Sequence, residues 1–426
     1  MPHSLTPATW PGLTPRLLCA GGGDVEDYAA YVAGGGYRDL TDPEGLLDEV
    51  ERSGLRGRGG AAFPMAVKLR SVRAGGRDRG GAVVVANGEE GEPASIKDRW
   101  LLRNRPHLVL DGLRLAATIV GAQRTYVYVS DPTSAAGVAA AVAQRNPGPP
   151  VEVVTVAPGY VAGEETAAVR AINGGPAKPT DKPPRPFEQG VATLPTLVSN
   201  VETLANLPYI HAYGGRDFRA VGTADSPGTF LATITGAGRP PALYELPHGV
   251  RFADVLELHG VPAELATGAL MGGYFAGMLG AQVLDATLDH ETLRGMGSGL
   301  GCGAISILNG DCPVAVAASV LAYFDRENAG QCGSCFNGTA AMAAAAAGLR
   351  DGFATGDDIT RLRRWSRELR GRGACATLDG AANIAASLLD RFPAEVARHL
   401  ENGCPACQSG EFIALRPYEV EAVMMA

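Results

Sequence analysis

Two cysteines three positions apart, Cys332 and Cys335 in "ENAGQCGSCFNG", have the spacing with which thiolates face one metal ion or an iron–sulfur cluster. Two thiolates do not hold a cluster, and position 329, where a third would extend the spacing backwards, is Ala329. A second CxxC, Cys404-Pro405-Ala406-Cys407, lies near the C-terminus in "ENGCPACQSG". Five of the eight cysteines thus fall at 332, 335, 375, 404 and 407. The N-terminus lacks a basic region followed by a continuous apolar one, so no signal peptide is expected, and the expected compartment is the cytoplasm. Clustered cysteines there mean metal, cluster or redox chemistry more often than stapling.

Four other stretches carry groups that could act on a ligand. "SGLRGRGGAAFPMAVK" (53–68) places Gly54, Gly57, Gly59 and Gly60 where backbone amides can approach an anion, with Arg56, Arg58 and Lys68 adding positive charge. It is neither the GxGxxG nor the P-loop pattern. "ANGEEGEPASIKDR" (86–99) packs Asn87, Glu89, Glu90 and Glu92 directly after a predicted strand, where α/β domains open their ligand crevice. In "GYVAGEETAAV" (159–169) Gly163 precedes Glu164, Glu165 and Thr166 at a helix start, and "LVSNVETLAN" (197–206) offers Ser199 or Asn200 as a cap with Glu202 in the first turn. Taken singly, an exposed turn or a helix cap explains each of these residues.

The elements that must position them are legible. "GAVVVAN" (81–87), "RTYVYVS" (124–130) and "VEVVTVAP" (151–158) are short, β-branched and aromatic, hence buried strands, and helical periodicity runs between them through 105–122 and 135–145. That alternation predicts an α/β layer with a mostly parallel sheet. Residues 24–53 read as two helices split by a "GGG" turn. The Pro-rich stretch 174–190 must be a long loop, which in a compact domain usually has a job. From about 228 the pattern predicts a small mixed β/α module with strands either side of one helix, then a last strand "AISILN" (304–309), then Ala-rich helices at 313–326, 336–350, 356–370, 379–389 and 393–402. The divisions expected are an N-terminal helical segment (1–52), an α/β ligand-binding domain (53–222), the β-rich module (223–303) and a helical cysteine-bearing tail (304–426). With 46% apolar and 19% charged residues in 426, the chain is globular and large enough for ~2–4 domains. A net charge of −8 without basic blocks excludes nucleic acid as the main partner, and no apolar run reaches the ~18–20 residues of a membrane span.

The order and wording of "GLRGRGGAAFP", "NGEEGEPASIKDR", "GEETA", "KPPRPF", "SNVETLAN" and "GSGLGCGAISI" resemble the FMN-carrying, NADH-oxidising flavoprotein subunit of respiratory complex I and the related diaphorase subunits of soluble hydrogenases and formate dehydrogenases. The resemblance runs from about residue 24 to 400. It implies a Rossmann-like α/β flavin domain, a small ubiquitin-like β-grasp (SLBB-type) module and a C-terminal helical bundle with a 4Fe-4S cluster. It implies that Gly57, Gly59, Gly60, Phe63, Lys68, Asn87, Glu89, Tyr160, Gly163, Glu164, Ser199, Asn200 and Thr203 hold FMN and the dinucleotide, and that Glu92 and Glu165 line the nicotinamide pocket. Hydride would pass from NAD(P)H to the flavin N5, and single electrons to the cluster and then to a ferredoxin-like or thioredoxin-like 2Fe-2S protein, a separate chain, within a multi-subunit complex. The alternatives are a cluster-less flavin reductase that uses quinone or free acceptors, and a non-catalytic degenerate subunit.

Three departures from the family pattern carry consequences. Ala329 stands where the first cluster cysteine belongs, which leaves Cys332, Cys335 and Cys375 as three ligands and a 3Fe-4S or non-standard 4Fe-4S cluster as the expectation. Cys404 and Cys407 are candidates for the missing ligand, for a redox disulfide, or for a zinc site that would still need partners; of the histidines only His399 is close. Cys19, Cys302 and Cys312 read as structural or incidental. Of the aromatic groups that sandwich the adenine, Phe63 is kept but Ser71 and Arg185 replace two others, with Phe187 close by. Arg185 is positioned to stack on adenine or to reach a 2′-phosphate and favour NADPH. Finally, Ala62 and Ala94 replace glycines.

Overall fold

The computed structural model describes residues 5–18, 25–144, 148–410 and 414–420; Cys19 lies outside them. Four parallel strands form one sheet in the order Val151–Thr155, Ala122–Val129, Ala82–Asn87, Thr196–Asn200. Strand Ala82–Asn87 is apolar up to its last residue because both its faces are covered. Val84 and Ala86 point into one core with helices Met65–Arg79 and Pro106–Val120, while Val83 and Val85 face a smaller cluster with Tyr128 and Ala168. Two N-terminal helices, Tyr28–Ala33 and Pro43–Ser53, flank the glycine turn; Asp42 caps the second by accepting the Gly45 amide at 2.9 Å, with Pro43 in the first turn.

A second, six-stranded mixed sheet runs Thr6–Thr9, Ala242–Pro247, Thr229–Gly236, Ala304–Leu308, Gly268–Met271, Met278–Gly280. Its middle pair, Thr229–Gly236 with Ala304–Leu308, is parallel, and the antiparallel neighbours Ala242–Pro247 and Gly268–Met271 lie on either side. Helix Phe252–Leu258 packs into the same core. Two expectations shift. Strand Ala304–Leu308 sits inside this sheet, so a boundary at 304 cuts it from its partners, and residues 6–9 extend the sheet as a strand although 1–52 read as helical. Strand pairing at long sequence separation leaves no mark on the local pattern. Helices Pro313–Glu327, Gly333–Arg350, Gly356–Glu368, Thr377–Arg391 and Pro393–Glu401 make the tail, followed by the short turn Pro405–Ser409. Among the described residues no helix is long and apolar enough to cross a membrane.

The two sheets are joined by buried charge. Lys97 and Glu202 are each 1% exposed and meet at 3.0 Å, and Lys97 also meets Asp98 at 2.6 Å. Glu202 accepts the Leu231 amide at 2.9 Å, and the Arg58 guanidinium donates to the Thr229 carbonyl at 3.0 Å. Burial disfavours the Lys97 ammonium, but Asp98, Glu202 and Glu90 more than offset this and hold its pKa above the ordinary lysine value. Removing one partner strands the others in the interior. Lys97→Met is therefore expected to cost ~3–5 kcal/mol in denaturant unfolding, far more than loss of an exposed pair such as Arg70–Glu51.

Candidate active site

The carboxyl ends of the parallel strands open into a cavity of about 740 Å³. Asn87 and Asn200 end neighbouring strands in register, which sets the segments 87–92 and 199–203 side by side. The Gly-rich segment crosses above them. Its Arg58 amide donates to the Thr203 hydroxyl at 2.8 Å, and a side chain on Gly59 would meet the Asn200 Cβ at 3.2 Å. Gly60 takes φ +121°, open to glycine, and Ala62 holds φ 50°, a left-handed strain of ~1 kcal/mol where the family pattern has glycine. Gly57, Gly59, Gly60, Phe63 and Lys68 all line the cavity.

The second wall is Asn87, Glu89 and Glu92 from one strand end, with Tyr160, Gly163, Glu164 and Glu165 from another. Asn87 donates to the Gly163 carbonyl at 2.8 Å, and a Cβ on Gly163 would come within 3.0 Å of the Glu89 carbonyl. Glu164 caps helix Glu165–Ile172 through the amides of Thr166 and Ala167 and pairs with Lys182 at 2.6 Å. Its carboxylate is thereby committed to structure. Lys68 reaches the Val198 carbonyl at 2.7 Å and Glu165 at 3.4 Å, so two lysines from distant segments face the same acidic pair. Ser199, Asn200 and Thr203 close the third side; Asn200 is the cap, accepting the Glu202 amide at 3.0 Å.

Two carboxyls here are displaced from ordinary behaviour. Burial pushes Glu89 up to about 7 against the Ser130 side chain and the Gly159 amide, which its Oε1 accepts at 3.4 Å, while its Oε2, out of water, meets no donor at good hydrogen-bond geometry among the described residues. Burial raises Glu92 to about 8 against hydrogen bonds from the amides of Tyr274 and Ala94. An orphaned acceptor inside a glycine-lined cradle with two ammonium groups fits a bound polar ligand carrying phosphate, as FMN does. Arg185 and Phe187 from the Pro-rich loop also line the cavity, as do Cys302 and Cys375.

Cys332 sits just before helix Gly333–Arg350 without a side-chain cap bond; the helix starts three residues earlier than its sequence pattern suggests and so carries Cys335 in its first turn, where the dipole favours thiolate. The Ala374 amide donates to the Cys332 sulfur at 3.4 Å. Burial, with the neighbouring Cys375, Cys332 and Asp379 adding to it, pushes the Cys335 thiol up to about 12. The residues fit three thiolates of an iron–sulfur site. Ala329 offers no ligand, and its carbonyl accepts from Lys178 at 2.9 Å. The turn is also tied to the cavity wall: Glu327 accepts the Tyr160 amide at 3.3 Å, and the Tyr160 ring packs edge-on against Tyr323 and Phe324.

Cys404 and Cys407 do not complete this set. They gather with Cys312 and His399, the four donor atoms all within 4.8 Å of one another. Cys312 lies far upstream, so local spacing does not connect it to the others; His399-x4-Cys404-x2-Cys407 was the signal available. Lys97, Asp98 and Lys182 were also missed as contributors to the site. Lys97 and Asp98 pair with each other, but Glu202, Asn200 and Glu164, which also hold these three, come from other segments.

The chain matches the Nuo51 FMN-binding domain over residues 50–209 and the NADH-ubiquinone oxidoreductase-F iron-sulfur binding region over 315–399. It is 32% identical to the second F-type NADH-quinone oxidoreductase subunit of Rhizobium meliloti, across 90% of this chain and 97% of that one. It is 31% identical to the NADP-reducing hydrogenase subunit HndC of Solidesulfovibrio fructosivorans, across 90% and 83%. A crystal structure of an NAD+-reducing [NiFe]-hydrogenase in the H2-reduced state superposes with a TM-score of 0.77 at 31% identity; the match covers 85% of this chain but only 63% of that one. The fold and site therefore define an FMN-binding oxidoreductase subunit with an iron–sulfur region. The chain belongs to the NADH-quinone oxidoreductase-F family.

The raised Glu92 pKa has a stability consequence. The unfolded glutamate ionises near 4.5 while the folded one stays protonated to about 8, so stability present below 4.5 is lost as pH rises through that window. Glu92→Gln, which keeps the acceptor oxygen, is expected to raise the thermal midpoint relative to the parent increasingly from pH 5 to 8.5, and to leave it unchanged at pH 4.5.

Proposed function

We propose that the protein oxidises NAD(P)H at an FMN held in this cavity and passes electrons singly, through an iron–sulfur cluster on Cys332, Cys335 and Cys375, to a partner protein. The observation that carries this reading is the shared wall: the cavity gathering the flavin-type residues is also lined by Cys375. FMN bound there accepts two electrons as hydride and releases them one at a time, which couples a nicotinamide to a one-electron centre. The Gly-rich amides are suited to phosphate, and Lys68 and Lys182, paired with Glu165 and Glu164, line the same cavity. Glu89, whose Oε2 meets no well-placed donor, is the acceptor for a ligand donor. Glu92, raised to about 8 by burial, borders the nicotinamide position, with Glu165 beside it on the same cavity. Exposed Arg185 lies on the cavity lining with Phe187, which supports a preference for a 2′-phosphorylated nucleotide.

The parallel central pair with antiparallel flanks and one covering helix supports the β-grasp (SLBB-type) assignment, over about 223–308 with strand Thr6–Thr9 added at its edge. The α/β flavin domain spans 53–222, and the cluster-bearing tail begins after Leu308. The acceptor is a ferredoxin-like protein or a thioredoxin-like 2Fe-2S subunit, met in the cytoplasm as part of a complex of the kind to which the named relatives belong as subunits.

Anaerobically purified protein is expected to carry FMN whose visible absorbance is bleached by NAD(P)H, with kcat/KM for NADPH about tenfold above that for NADH, the worth of one charge-assisted hydrogen bond. Protein free of flavin overturns the proposal, and equal or better use of NADH removes the role given to Arg185. At the cluster, Ala329→Cys is expected to supply a fourth thiolate. Iron per chain after brief air exposure should rise from about three toward four, with electron paramagnetic resonance losing the oxidised three-iron signal.

A further inference from the structure

Outside the flavin cavity and the Cys332–Cys335–Cys375 turn, one cluster of metal-ligating side chains stands apart. Cys312 precedes helix Pro313–Glu327, His399 lies in the last turn of helix Pro393–Glu401, and Cys404 and Cys407 bracket the first turn of Pro405–Ser409. The His399 Nε2 lies 3.4 Å from both the Cys312 and the Cys407 sulfur. Ligands sharing one tetrahedral zinc, with Zn–S ~2.3 Å and Zn–N ~2.0–2.1 Å, are ~3.6 Å apart. A cubane hangs its ligands on separate irons and needs them further apart. The His399 Nδ1–H donates to the Glu395 carbonyl at 2.7 Å, which fixes the tautomer and leaves Nε2 as the free donor, the arrangement of a metal-bound imidazole. Cys312 and Cys404 are buried, and the Arg398 guanidinium lies 3.8 Å from the Cys404 sulfur, where it balances thiolate charge. The matched iron–sulfur region begins at 315 and ends at 399, so the three cysteines fall outside it.

We infer that Cys312, His399, Cys404 and Cys407 bind a single zinc ion in a closed tetrahedral site, distinct from the electron-transfer cluster. With four protein ligands it has no open position, so its role is structural. What it holds is visible nearby. Asp311, next to Cys312, accepts from the Tyr418 hydroxyl at 2.8 Å, and the segment 414–420 continues to the Val420 amide, which donates to the Pro93 carbonyl at 3.0 Å. Tyr274, whose amide binds Glu92, donates its hydroxyl to the Pro417 carbonyl. The zinc clasps the C-terminal segment against the outer side of the flavin-site wall.

The test is metal analysis of the full chain together with cobalt substitution. The expected result is about one zinc per chain, and a cobalt(II) form with intense thiolate-to-metal charge-transfer bands and tetrahedral visible bands. Cys407→Ser is expected to lose zinc while iron, sulfide and flavin per chain stay unchanged. Since that variant can also loosen the tail, the cobalt spectrum of the parent chain is the decisive reading. Parent protein without zinc and with Cys404–Cys407 oxidised overturns the inference. A loss of about four irons in Cys407→Ser overturns it in favour of a second cluster. Removing zinc with a chelator is expected to speed amide hydrogen exchange in 414–420 at least tenfold; unchanged exchange rejects the clasp.

Discussion

The ammonium of Lys97 sits between the carboxylates of Asp98 and Glu202, out of water, and the site is assembled around it. Asp98 accepts from the Asn200 amide at 2.6 Å, Asn200 caps the helix that follows its strand, and Glu202 draws in the Leu231 amide of the second sheet. Arg58 brings the Gly-rich segment to the same place through Thr229. Three ligand-facing segments and the mixed sheet are thus registered by one set of buried charges. Such a set contributes little net stability over an apolar core, but breaking it is costly. Its value here is positional, since the ligand-facing residues need fixed relative places more than extra binding energy.

The second constraint is contact between the cavity and the cysteine turn. Glu327, at the start of "ENAGQCGSC", caps the backbone at Tyr160, and the Tyr323 hydroxyl donates to the Gly91 carbonyl at 3.1 Å. From the other side the Pro-rich loop closes on the turn, with Gln331 donating to the Pro179 carbonyl at 2.7 Å and accepting from Arg170 at 3.0 Å. The loop that lines the cavity through Arg185 and Phe187 therefore also touches the turn where a cysteine is missing.

The C-terminal CxxC takes on a different meaning beside Cys312 and His399. Its sulfurs lie within 4.8 Å of the Cys312 and His399 donor atoms, and in the inferred zinc site they are not available to supply the ligand that Ala329 lacks. The tail is instead tied back over Asp311, Tyr274 and Pro93, on the far side of the wall from Glu92.

Local pattern carried much of this chain. The β-branched run 81–87 reads as a buried strand and Asp42–Pro43 as a helix start, while each glycine and glutamate motif taken singly reads equally well as a turn or a cap. Most of the residues singled out from those motifs line one cavity, among them Gly57, Lys68, Glu89, Gly163 and Thr203, whereas Gly54, Arg56, Arg58, Thr166 and Glu202 do not. Other features depended on segments distant in sequence. Strand Ala304–Leu308 belongs to the second sheet because its hydrogen-bond partners are there. Lys97 is central because Glu202 arrives beside it, and the pKa of Glu92 is raised because the fold removes it from water. Cys312 joins His399, Cys404 and Cys407 only when two helices pack. Propensity and periodicity are properties of neighbours along the chain, whereas burial, charge pairing and ligand geometry are properties of neighbours in space, and only the packed chain sets those.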